Sequence, residues 1–81
     1  MRRDEIAERY PEAVILSEEF YDEAIIGISN DDRVVYSYQG LVEALMRHDG
    51  MSEEDAEEWV SYNVLGSLYG ENMPIVCMME E

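Results

Sequence analysis

Five of the six residues from Glu53 to Glu58 are acids: Glu53, Glu54, Asp55, Glu57 and Glu58. On a helix, carboxylates three and four positions apart lie about 5–6 Å from one another, close enough for one face to imitate a run of phosphates. Asp31 and Asp32 offer a second acidic point. Acids in a first helical turn also favour the positive end of the helix dipole by about 0.3–1 kcal/mol each, which accounts for Glu53, Glu54 and Asp55 without any ligand. Glu57 and Glu58 fall beyond most of that benefit. The pairs Glu53 with Glu57 and Glu54 with Glu58 repel at i,i+4 spacing by a few tenths of a kcal/mol, with no Lys or Arg nearby in the chain to relieve them. A cationic partner would supply that relief. These six positions, Asp31, Asp32, Glu53, Glu54, Glu57 and Glu58, are the expected partner-binding residues.

Other chemistry is thinly represented. His48 beside Asp49 offers a base next to an acid, but an imidazole at a helix end before Gly50 serves the C-terminal dipole. Cys77 is the only cysteine and lies in an apolar run, so the chain by itself forms no disulfide and no cysteine-rich zinc site. A reactive thiol needs an electropositive setting that this composition does not provide. The glycine-containing calcium loop is absent, and acids on successive helical turns hold cations weakly. No enzyme activity, cofactor or metal is therefore expected.

The charge balance of the whole chain points the same way. Twenty acids face five arginines and no lysine, for a net charge of −15 over 81 residues. That field repels nucleic acid and anionic membranes and draws the expectation toward a basic protein. With 47% apolar residues the chain is no disordered acidic tail; it has the material for one core. No apolar run approaches the roughly 20 residues of a membrane span, and Met1 to Glu8 lacks the apolar stretch of a signal peptide. The expected location is cytoplasmic.

The elements that would carry these residues can be read in order. Asp4 to Tyr10 predicts a short helix ending before Pro11, although residues 1–12 read as a loosely packed segment. Ala13 to Leu16 reads as an edge strand, and Ser17 as the cap of a turn through Phe20. Ala24–Ser29 and Arg33–Ser37 predict a β-hairpin about Asn30, Asp31 and Asp32, with Gly27 permitting a bulge. Tyr38, Leu41, Val42, Leu45 and Met46 recur at helical spacing, and Gly50 fits a left-handed cap. Ser52 caps a second helix with Met51 stapled to Ala56, and its expected buried stripe is Ala56, Trp59, Val60, Asn63 and Val64. Gly66 to Met73 reads as a loop. Pro74 then opens Ile75 to Met79, apolar on both faces and short enough for a buried strand, with Met46, Met78 and Met79 assigned to the core. The prediction is a small single α+β domain: a hairpin, two helices and a C-terminal strand joining the sheet.

Several segments together carry a resemblance. Phe20-Tyr21-Asp22-Glu23-Ala24-Ile25-Ile26-Gly27-Ile28, Val34-Val35-Tyr36, Asp49-Gly50-Met51-Ser52 with Trp59 and Tyr62-Asn63, and Pro74-Ile75-Val76 look like a recurring group of small acidic proteins encoded by bacteriophages and prophages. The similarity covers residues 14–79. These motifs are fold determinants and carry over no catalytic or binding residue. A phage setting implies an inhibitor of the anti-CRISPR or anti-restriction kind, which occupies the nucleic-acid groove of a host-defence nuclease; the chain is similar to those proteins in size and charge alone. The expectation is thus a non-enzymatic nucleic-acid mimic that binds a basic effector. The alternative is a small acidic accessory protein, homodimeric through its apolar C-terminal strand.

Overall fold

The computed structural model describes residues 2–78. Its elements are α1 (Arg3–Arg9), a 3₁₀ helix (Glu19–Ala24), β1 (Ile25–Ile28), β2 (Val34–Ser37), α2 (Tyr38–Asp49), α3 (Glu53–Trp59), a π-helical turn (Val60–Val64), a 3₁₀ turn (Leu65–Ser67) and β3 (Ile75–Cys77). The fold is α+β, with a three-stranded sheet in the order β1-β2-β3. β1 and β2 pair antiparallel, and β3 returns through the helices to lie parallel on the other side of β2.

The hairpin follows from its turn chemistry. Asp32 takes the left-handed conformation at φ 62°, and the Ser29 N–H donates to the Arg33 carbonyl at 2.8 Å to close the loop. The register slips between Ile25 and Gly27, so the bulge expected at Gly27 is present, and Ile26 turns outward at 49% exposure.

Each helix behind the hairpin is capped by a serine. The Ser37 hydroxyl accepts from the Gly40 N–H at 3.0 Å at the start of α2, and the Ser52 hydroxyl accepts from the Asp55 N–H at 3.2 Å at the start of α3. Only the second cap stands out in the sequence, because Ser37 also completes a strand. Gly50 ends α2 at φ 69°, as its position predicts. Gly40 is required for a different reason. A Cβ there would stand 2.9 Å from Ala24 Cβ, so only a glycine lets α2 lie against the 3₁₀ helix.

One core joins these parts. Tyr36, Ile6, Leu41, Leu45, Val34, Val42 and Val60 are its largest fully buried members. The segment through residue 12, expected to be loosely packed, is instead docked. Ile6 is fully buried, and Arg3 donates to both carboxylate oxygens of Asp22 at 2.7 and 2.8 Å and to the Leu16 carbonyl at 3.0 Å. The Leu16 N–H donates to the buried Tyr36 hydroxyl at 3.0 Å.

Other expectations are corrected here. Ala13 to Leu16 forms no strand: its bonds run to the Asn72 carbonyl from Val14 and to the Tyr36 hydroxyl from Leu16, which are isolated contacts rather than a ladder. Ser17 caps nothing, since the 3₁₀ helix begins after Glu18 with no side-chain cap. The C-terminal strand is half-buried at the sheet edge because only one of its faces meets the core. Met78 is 62% exposed and Met46 is 37% exposed, so neither belongs to the core; Met79 lies outside the described residues. Among the described residues no helix is long and apolar enough to cross a membrane.

The largest correction concerns α3. Ala56, Val60 and Val64 are buried as expected, but Trp59 is 44% exposed and Asn63 faces solvent. Steps of four residues over-rotate by roughly 40° in an α-helix. After Trp59 the chain widens into a π turn, in which the Leu65 N–H reaches back five residues to the Val60 carbonyl, and this wider turn brings Val64 back into line with Ala56 and Val60. The inward stripe is therefore narrow and already full. Trp59 and Asn63 are left outside it.

Candidate interaction surface on the third helix

All five acids of α3 are exposed, and among the described residues none lies within ion-pair distance of a cation. Four of the five arginines are engaged elsewhere. Arg2 pairs with Asp4, Arg3 with Asp22, Arg33 with Asp31 and Arg47 with Glu23. Glu54, Glu57 and Glu58 border a shallow concavity together with Tyr38, Ser61 and Tyr62.

Aromatic side chains interleave with these acids. Trp59 follows Asp55, and Tyr62 follows Glu58, each at i+4 spacing that places acid and ring side by side on the helix surface. Tyr62 is 80% exposed and Trp59 44%. The neighbouring Tyr21 hydroxyl has its pKa pushed up, first by burial, against a lowering effect from Trp59. The surface thus combines fixed negative charge with aromatic area, the residue types that carry most binding energy at protein interfaces. Sequence reasoning missed the aromatic half by assigning Trp59 to the core. The spacing alone did not reveal it, because Ala56, Val60 and Val64 complete a stripe without Trp59 only through the π turn.

Asp31 and Asp32 do not join this surface. They border a different concavity, lined by Arg9, Tyr10, Glu12 and Asn72 among others, that shares no residue with the one beside α3. Asp31 is also neutralised within its own turn. Its carboxylate accepts from the Ser29 hydroxyl and lies 3.2 Å from Arg33 Nε. The Ser29 hydrogen bond first, then Arg33, hold its pKa below the usual carboxylate value.

His48 sits at the C-terminal end of α2, as expected. Its Nε2 lies 3.2 Å from Glu23, and its ring stacks on Phe20 at 5.3 Å, while Arg47 donates to the same Glu23 at 2.7 Å. These contacts tie the end of α2 to the 3₁₀ helix. Cys77 is half-buried in β3, and no cluster of three His, Cys, Asp or Glu side chains suited to a metal occurs among the described residues. No family model, curated protein or solved structure matches the chain.

Proposed function

We propose that the protein binds a basic protein surface through α3 and competes there with nucleic acid, as an inhibitor of a host-defence nuclease encoded by a phage or mobile element would. The observation that supports this most is the row of five exposed acids with no cation beside it, flanked by Trp59 and Tyr62. Repulsion along such a row costs the free protein stability, and a partner's Lys and Arg side chains relieve it on binding. Carboxylates at i, i+3 and i+4 occupy positions of a phosphate-binding groove, while Tyr62 and Trp59 add apolar contact that phosphates lack. The inhibitor works by occupancy. It needs no catalytic group of its own.

The test uses the intact protein as bait, with and without charge reversal of Glu54, Glu57 and Glu58 to Arg. All three side chains are exposed, so the fold survives the change. A basic nucleic-acid-binding protein should be captured by the native chain, lost in the reversed variant, released steeply by salt and displaced by duplex DNA or RNA. A partner that binds equally well after the triple reversal, or that holds its nucleic acid at the same time, would rule out mimicry by this face.

A further inference from the structure

The concavity beside α3 is built unequally by its two helices. Its acids, Glu54, Glu57 and Glu58, all come from α3, whereas α2 contributes a ring, Tyr38. Glu54, Glu58 and Tyr62 follow one another at four-residue steps, so the Tyr62 ring continues the row that two of the carboxylates begin. Tyr38 is half-buried and packs against the core, which fixes it in place. Tyr62 is 80% exposed.

A duplex and a single strand call for different copies. A duplex carries two rows of phosphates across a groove about 6 or 12 Å wide and hides its base faces in the stack, so a protein that grips it meets phosphates and base edges. A single strand carries one row and leaves its base faces open. Proteins that bind it pair a basic groove with aromatic side chains on which those faces stack. The α3 face has the second composition. Seven residues at about 1.5 Å each give one acidic stretch about 10 Å long, and across the concavity, where a second row of phosphates would stand, there is Tyr38. Asp31 and Asp32, on the hairpin turn, border a different concavity.

We infer, resting on the reading of α3 as a nucleic-acid mimic, that its basic partner binds single-stranded nucleic acid, with Glu54, Glu57 and Glu58 in phosphate positions and the Tyr62 ring on an aromatic stacking platform. Charge complementarity brings the two together, since the five exposed carboxylates have no cation within ion-pair distance among the described residues. The rings select the kind of groove. In one that meets only phosphates and base edges, an exposed phenol finds no face to stack on. In a single-strand groove it takes the place of a base.

The test uses the full chain as a displacer. Proteins of a bacterial lysate are held on two resins, one carrying a dT oligonucleotide and one a duplex, each about 20 nucleotides long and so longer than the roughly 4–16 nucleotides of a single-strand site. The native chain, added up to about 100 μM, should release a protein from the dT resin at a concentration at least about tenfold below any that releases one from the duplex resin. Tyr62→Ser should raise the concentration needed by about fivefold to a hundredfold, the loss of one stacked ring, while Tyr62→Phe keeps the ring and should act as the native chain does. Charge reversal of Glu54, Glu57 and Glu58 to Arg should abolish release from both resins. Release from the duplex resin at an equal or lower concentration, a Tyr62→Ser chain as potent as the native one, or a Tyr62→Phe chain as weak as Tyr62→Ser overturns the single-strand assignment and leaves mimicry standing. Release from neither resin, or release that survives the triple reversal, overturns both.

Discussion

Gly40→Ala reverses a general rule of helix stability. Replacing a helical glycine by alanine ordinarily gains up to about 1 kcal/mol, because alanine gives up less conformational freedom on folding. At Gly40 the new Cβ would stand 2.9 Å from Ala24 Cβ and 3.1 Å from Ala24 Cα, inside the roughly 3.5–4.0 Å at which carbon atoms attract. Both contacts lie where α2 meets the 3₁₀ helix, in the core, so the neighbours yield only by moving whole elements. Overpacking of this kind costs about 1–3 kcal/mol, which exceeds the propensity gain. We expect a net loss of about 1–2 kcal/mol, out of roughly 4–12 kcal/mol for a domain of this length. At about 4–8 °C per kcal/mol, Tm should fall by about 5–15 °C in thermal melts, with a matching fall in the urea midpoint. Adding Ala24→Gly removes the nearer contact but not the one to Cα, so the double variant should recover part of the loss. A Gly40→Ala protein that melts at or above the native temperature would refute the close approach of α2 to the 3₁₀ helix.

Tyr36→Phe leaves the Leu16 N–H without its buried acceptor and should cost about 1–2 kcal/mol, with faster amide exchange at Leu16; unchanged exchange would show that the bond does not hold the segment. Trp59→Ala should leave a folded protein and cost less than the ~3–5 kcal/mol of a buried tryptophan, so a collapse of the melt would return Trp59 to the core. Stability should rise between about 10 and 150 mM salt, because the α3 acids lack cationic partners; a flat or falling Tm would mean that the acids do not repel. Burial pushes the pKa values of Tyr21 and Tyr36 up, so the fold favours their neutral forms. That contribution is fully present below the unfolded tyrosine value of about 10 and is lost as pH rises through the folded values, and a Tm that stays level across that window would contradict it.

How far the chain can be read without its structure depends on whether a signal is local. The hairpin, the Gly50 terminus and the Ser52 cap were legible because each rests on neighbouring residues: turn acids that bond their own backbone, a glycine that takes positive φ, a serine that accepts from the third residue on. Burial of Ile6 was not legible, since it depends on Arg3 meeting Asp22, nineteen positions away. The acids of the candidate surface were visible as a run, and their freedom from counter-ions follows from the same composition, with so few cations to share. Which acids border one concavity was not. Asp31 is spent on Ser29 and Arg33, and it borders a different concavity from Glu54, Glu57 and Glu58.

Composition and pattern by themselves determined the acidic character, the α+β class and the order of its main elements. Tertiary structure decided what each apolar residue is for. Periodicity places Trp59 within reach of the buried stripe, but the inward side of α3 and the π turn is filled by Ala56, Val60 and Val64 once that turn realigns them, and the indole goes to the acidic surface. Ile75 and Val76 read alike as strand residues, yet only Val76 meets the core, because β3 pairs at the sheet edge in a register that turns Ile75 to the open face. A side chain's hydrophobicity is fixed by its type. The surface it covers is fixed by partners that only folding brings near.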